Sequence, residues 1–235
     1  MALLALDGIG KCYRQGEIEV QALQDINLQV EAGEFAALVG PSGSGKTTLL
    51  NIIGGLDSPT AGCARLNDTD ITQLNDRALA NFRLFQLGFI FQAYNLVPVL
   101  SALENVELIM VLQGRSADER RERARHYLSL VGLEDIMHRR PSALSGGQQQ
   151  RVAVARALAA GPRLVLADEP TANLDSENAT ALLDIMHRLS HEEQTTFIFS
   201  THDPRVMERA ERIITLRDGR IVSDQERELP HEAEL

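Results

Sequence analysis

Apolar positions in the first forty residues come in short runs separated by turn residues. Leu3 to Ile9, Ile18 to Val20, Ile26 to Val30 and Phe35 to Val39 read as strands, with Gly16 and Glu31-Ala32-Gly33-Glu34 between them. The last run has no polar position, as expected of a strand buried on both faces. It leads into Gly40-Pro41-Ser42-Gly43-Ser44-Gly45-Lys46-Thr47 and then into a predicted helix with apolar residues at 49, 52, 53 and 56. Pro59 to Gly62 mark a turn, 63–66 a short strand, 75–84 a helix, and Leu87 to Phe91 another apolar strand.

After Gln92 the period becomes helical. Leu103, Val106 and Met110 share one face of 101–113, and Glu104 stands where a capping box on Ser101 needs it. Residues 116–131 mix Arg120, Arg121, Arg123 and Arg125 with Asp118, Glu119 and Glu122, the composition of a solvated helix face. The stretch 93–143 therefore reads as an all-helical insertion in an α/β chain. Alternation then resumes: helix Gly146 to Ala160, strand Leu164 to Ala167, helix Asn178 to Leu189, strand Thr195 to Ser200 and a short helix from Pro204. Ile213 to Leu216 and Arg220 to Val222 flank an Asp218-Gly219 hairpin turn, and residues 223–235 read as an acidic, mobile tail.

Composition narrows the function classes. The 235 residues are 44% hydrophobic and 24% charged, which is ordinary for a globular chain. The net charge of −10, with five acids against Arg227 in 223–235, argues against a nucleic-acid binder, which needs a basic face. Cys12 and Cys63 lack metal spacing and read as reduced thiols of a cytosolic chain. No apolar stretch reaches the about 18 residues that span a bilayer, and the N-terminus lacks a secretory pattern, so any membrane role is expected to run through another polypeptide. His187 and His191 have the spacing of two metal ligands on a helix, but no third ligand is apparent.

The segment 40–47 carries the clearest chemistry. G-x-x-x-x-G-K-[ST] between a strand and a helix is a phosphate-binding loop. Its glycines turn backbone N–H groups into one concavity, the helix start adds positive potential, Lys46 supplies a full charge and Thr47 a hydroxyl for Mg²⁺. Leu164-Val165-Leu166-Ala167-Asp168-Glu169 is an apolar strand ending in two carboxylates, one for Mg²⁺ and one able to reach toward a γ-phosphate. Leu144-Ser145-Gly146-Gly147-Gln148-Gln149-Gln150-Arg151 makes a second glycine-led helix start. One nucleotide has no evident need of two such sites, unless the second serves another molecule's nucleotide.

Leu144-Ser145-Gly146-Gly147-Gln148 resembles the signature motif of ABC ATPases, the nucleotide-binding subunits of ABC transporters, and it lies between the two phosphate and carboxylate motifs in that family's order. The resemblance covers about residues 3–222. It implies a P-loop NTPase core, mostly parallel sheet with helices on both faces, with an N-terminal antiparallel β-subdomain and an inserted helical subdomain. A single ATPase domain over 1–222 would have its core in 1–92 and 144–222 and its helical subdomain in 93–143.

Site roles follow from the resemblance position by position. It implies that Gly40, Ser42, Gly43, Ser44, Gly45, Lys46, Thr47 and Thr48 hold the phosphates of ATP, while Tyr13 stacks on adenine. Gln92 would sense the γ-phosphate and Mg²⁺, with Thr47 and Asp168 as further Mg²⁺ ligands. Glu169 would activate water, His202 would contact the γ-phosphate, and Asp175 would be the acid of the loop containing Asn173-Leu174-Asp175. Asn173 departs from the alanine common in the family. The resemblance further implies a head-to-tail dimer in which Ser145, Gly147 and Gln148 of one copy close over ATP held by the other. The partners would be membrane permease subunits at the cytoplasmic face of the inner membrane. Leu87 to Pro98, Ser101 to Val106 and Gln148-Gln149-Gln150-Arg151 are most similar to the lipoprotein-release and macrolide-exporter group. An ABC ATPase of a non-transport membrane machine, such as a cell-division complex, is the alternative.

Overall fold

The computed structural model describes residues 2–16 and 18–227. They divide into two compact units, one from the chain up to Leu74 together with the chain from Thr196 onward, the other from Asn75–Thr195.

The first unit opens with β1 (Leu4–Gln15) and β2 (Ile18–Val30), then β3 (Phe35–Val39), α1 (Lys46–Ile53), β4 (Ala61–Leu66) and β5 (Thr69–Asp70). An antiparallel sheet in the order β2-β1-β4-β5 forms its N-terminal layer. The two short strands expected at 18–20 and 26–30 are one strand. The polar residues between them suggested a break, but a ladder with β1 satisfies their backbone groups whatever the side chains are, and register shifts between Ile9 and Cys12 absorb the irregularity. The fourth strand also starts earlier than expected, because Ala61 pairs with Gly10. Gly62 makes this possible: it has φ +80°, and a Cβ there would lie 2.4 Å from the Gly8 backbone.

The chain returns to this unit with β8 (Thr196–Thr201), α7 (Pro204–Met207), β9 (Arg212–Arg217) and β10 (Arg220–Glu226). β8 and β9 flank β3 in parallel and β10 pairs antiparallel with β9. Fully buried Phe35, Phe197 and Phe199 cluster with ring centroids 4.8–5.5 Å apart. Leu49, Ile52 and Ile53 of α1 are buried as their spacing predicts, whereas Leu56 lies past the helix end and is exposed. Residues 223–226, expected in the tail, belong to β10, where Arg212 clasps Asp224 through two bonds of 2.8 and 2.7 Å. Of that expected tail, 228–235 lie outside the described residues.

The second unit contains α2 (Asp76–Gln86), β6 (Leu87–Ile90), α3 (Ala102–Leu112), α4 (Ala117–Leu130), α5 (Gly146–Ala159), β7 (Leu164–Asp168) and α6 (Ser176–Glu192). β6 and β7 pair in parallel. The predicted capping box starts α3: Ser101 accepts from Glu104 N, and the Glu104 carboxylate accepts from Ser101 N at 2.7 Å. Val106, Met110, Ala124, Tyr127, Leu128, Val152 and Ala155 are buried where α3, α4 and α5 meet. Asn105, fully buried, ties down the preceding loop through bonds with Val97 and the carbonyls of Leu100 and Ser101. α6 begins earlier than its apolar period indicates, because Asp175 caps it by accepting from Asn178 N.

Candidate active site

In the first unit the site grows from the carboxyl edge of parallel strands, where ligands bind in open α/β sheets. Val39 is paired with Thr201, so Gly40 and His202, the next residues, leave the same edge of β3 and β8. The loop that follows β3 is built on left-handed glycines, φ +150° at Gly40, +79° at Gly43 and +105° at Gly45. At Gly40 a Cβ would fall 2.1 Å from the Leu216 carbonyl oxygen, whereas at Gly43 it would meet nothing within 4 Å. Lys46, 8% exposed, folds its ammonium over the loop and donates to the carbonyls of Gly40 at 2.8 Å and Pro41 at 3.1 Å. The buried Ser44 Oγ has no hydrogen-bond partner among the described residues. A buried hydroxyl with no acceptor, a buried ammonium and a helix start at Lys46 suit a polyanion. Ser42 and Thr47 are exposed at this loop and Thr48 is half-buried.

Tyr13 is tied to the same region. Its ring is 40% exposed and not in the core, its hydroxyl donates to Asp57 Oδ2 at 2.7 Å, and the Thr48 side chain hydrogen-bonds to it. Lys11 Nζ donates to Asp57 Oδ1 and to the Ser58 carbonyl, each at 2.6 Å, and lies 4.8 Å from the Tyr13 ring centroid. Burial and the Asp57 hydrogen bond push the Tyr13 phenol up. Burial also works to raise Asp57, but hydrogen bonds from Lys11, Tyr13 and Ser58 N outweigh it and hold the carboxyl below its ordinary value.

The second unit presents another strand edge. Ala167 pairs with Ile90, so Asp168 at the end of β7, Glu169 after it and Gln92 after β6 stand at one edge of that pair. Glu169 has φ +48°, a left-handed conformation uncommon for a glutamate, and precedes Pro170. Two side chains hold the segment that starts at Gln92. Asn173 Nδ2 donates to the Gln92 carbonyl at 2.8 Å, while the Arg156 guanidinium donates to the carbonyls of Asn95 at 2.6 Å and Tyr94 at 2.9 Å. Burial pushes the Arg156 guanidinium down. Tyr94 and Asn95 are themselves left-handed, at φ 52° and 49°.

Ser145 caps α5 in a second capping box: its Oγ accepts from Gln148 N at 3.3 Å and Gln148 Oε1 accepts from Ser145 N at 2.9 Å. A Cβ at Gly146 would come 2.8 Å from the Tyr94 hydroxyl, and one at Gly147 would come 3.2 Å from Asn178 Oδ1. Ser145 is exposed, and its own O–H remains available to an external acceptor. Asp175 is held below the usual carboxylate range by bonds from Asn178 N and the Asn178 side chain. His187 and His191, outside this group, bring their Nε2 atoms to 3.1 Å.

Lys11, Asp57, Gln150 and Arg156 have site-directed contacts that sequence reasoning did not assign. For Arg156 a signal existed: it is the lone charge within Val152-Ala153-Val154-Ala155-Arg156-Ala157-Leu158. Lys11 and Asp57 meet across 46 residues, a separation that leaves no local pattern.

Residues 23–172 match the family model described as "ABC transporter". The Bacillus subtilis "Uncharacterized ABC transporter ATP-binding protein YvrO" is 48% identical over 97% of this chain and 100% of its own. The "Lipoprotein-releasing system ATP-binding protein LolD" of Anaeromyxobacter dehalogenans is 50% identical over 93% of this chain and 92% of its own. "Macrolide export ATP-binding/permease protein MacB 1" of Yersinia pestis is 49% identical over 95% of this chain, which spans 34% of that protein. The cassette MJ0796, solved as a dimer in "a post-hydrolysis state … bound to ADP and Pi", superposes with TM-score 0.88 and 43% identity over 95% of this chain and 98% of that one. The chain belongs to the ABC transporter family and is one of its ATPases, with that family's P-loop fold.

Proposed function

We propose that this chain is the ATP-hydrolysing motor of an export or mechanotransmission complex, acting through a separate membrane permease and a second copy of itself. The observation that supports it most is the glycine-led start of α5. Ser145 and Gln148 form a capping box at this helix start, with Ser145 exposed, and MJ0796, 43% identical, is described as dimeric. Two copies arranged head to tail each lend this start to the ATP held by the other, an isologous arrangement.

In this reading Lys46 and the loop amides bind the β- and γ-phosphates, and Tyr13 takes the base on its exposed ring. Thr47, Asp168 and Gln92 would hold Mg²⁺, which would supply neutralisation of charge on the phosphate oxygens. Glu169 orients and polarises the attacking water, and His202 with Lys46 stabilises the charge spread over the phosphoryl oxygens. ATP favours the closed pair by no more than its differential affinity for the two states. Gln92 passes the change to the helical segment 93–143, which works on the permease. Among the described residues no helix is long and apolar enough to cross a membrane, consistent with attachment through a partner.

The test is Ser145→Arg. Turnover is expected to vanish while ATP still binds the single chain. Loss of nucleotide binding in the isolated variant would show that Ser145 serves its own chain's site.

A further inference from the structure

Gln150 has no role in the reading above, and its surroundings are unusual for an amide. Its side chain is 1% exposed on α5. Nε2 donates to the Pro170 carbonyl at 2.7 Å, while Oε1 is buried with no partner among the described residues. The orientation is forced, because a carbonyl only accepts and the NH₂ end must face it. A buried amide matched on one side only is a worse core residue than methionine or leucine of similar size. Core stability does not account for it.

The bond it makes lies next to the chemistry. Pro170 directly follows Glu169, whose φ of +48° needs support from its surroundings. The Glu169 carbonyl is held by Ala172 N at 3.1 Å, and Gln150 holds the next carbonyl. The turn after β7 is thus fixed at two successive peptide units, one from within and one from α5.

We infer that Gln150 is a positioning residue for the catalytic step: it anchors the turn that keeps Glu169 left-handed and its carboxylate aimed at water. This rests on the reading of Glu169 as the group that activates water. It also ties the glycine-led start of α5 to the hydrolytic carboxylate of the same chain, four residues along the helix from Gly146.

The test compares wild type, Gln150→Met, Glu169→Gln and the double variant, each measured for steady-state and single-turnover ATP hydrolysis, ATP binding stoichiometry and thermal midpoint. Gln150→Met is expected to lower kcat about tenfold or more, as misplacement of a reacting group does. Its KM for ATP stays within about twofold, with stoichiometry unchanged, the signature of an interaction made only in the transition state. In the Glu169→Gln background the same substitution has no further effect on single turnover. Rates are taken per ATP-binding site, and Gln150→Leu takes the place of the methionine variant if that chain is not recovered folded. A kcat per site within twofold of wild type, a loss carried by KM, or losses that multiply in the double variant each overturn the inference. Normal turnover by Glu169→Gln overturns the reading of Glu169 instead. Wild-type turnover by Gln150→Met beside an inactive Glu169→Gln overturns only the role of Gln150.

Discussion

The glycines of the phosphate loop differ in what they tolerate, and the difference can be measured. Gly40 faces the Leu216 carbonyl with no room for a methyl group, while Gly43 opens onto free space. Gly40→Ala is therefore expected to destabilise the chain by about 3 kcal/mol or more through displaced backbone, and Gly43→Ala by about 1 kcal/mol through φ alone. Denaturant unfolding of both variants checks this, and equal losses would contradict the geometry. Asp57 offers a second residue-level test. Its folded carboxyl lies below its ordinary value, so its contribution is present above the unfolded pKa and is lost as pH falls through the folded one. Asp57→Asn should be less stable than wild type by about 1–2 kcal/mol at pH 7, with the gap closing below about pH 4. A gap that widens in acid would mean the carboxylate is not what Lys11 and Tyr13 stabilise.

At the scale of elements, the start of α3 only folds the chain, whereas the starts of α1 and α5 are proposed also to face a ligand. Ser101 caps α3 with Glu104 as its partner, so Ser101→Ala is expected to lower stability by about 1 kcal/mol while leaving ATP binding and turnover per folded chain unchanged. A fall in kcat at constant folded fraction would give that cap a role it lacks in this account. The Ser101 box was legible because both its partners are local, three residues apart. The loop, the apolar strand ahead of it and the acid pair closing β7 were legible for the same reason. β2 was not, since cross-strand hydrogen bonds hold its polar middle without leaving an apolar pattern. β10 likewise continues through Asp224 because Arg212, twelve residues away, clasps that carboxylate. Of the candidate site, the phosphate loop and the acid pair at 168–169 were legible from spacing, whereas the roles expected of Tyr13, Gln92, Asp175 and His202 rest on the family resemblance. Asp57 and Gln150 meet their partners across distance in the chain and only the fold reveals those contacts, whereas Arg156 left a trace as the lone charge of an apolar run.

For the whole molecule, the fold and family are those of an ABC ATPase, and the proposed mechanism makes each copy carry half of two sites. Glu169→Gln is accordingly expected to bind ATP, fail to hydrolyse it and accumulate as a two-copy species in ATP but not in ADP, read by light scattering after size exclusion. The shared site itself is tested most directly by mixing Lys46→Ala with Ser145→Arg, each inactive alone. A mixed pair has one site in which both damaged elements meet and one in which intact loop and intact signature meet. The account predicts that ATPase activity appears on mixing and rises with the fraction of mixed pairs. If mixing restores nothing although mixed pairs form, the loop and the signature of one chain serve the same nucleotide, and the two-copy site is wrong.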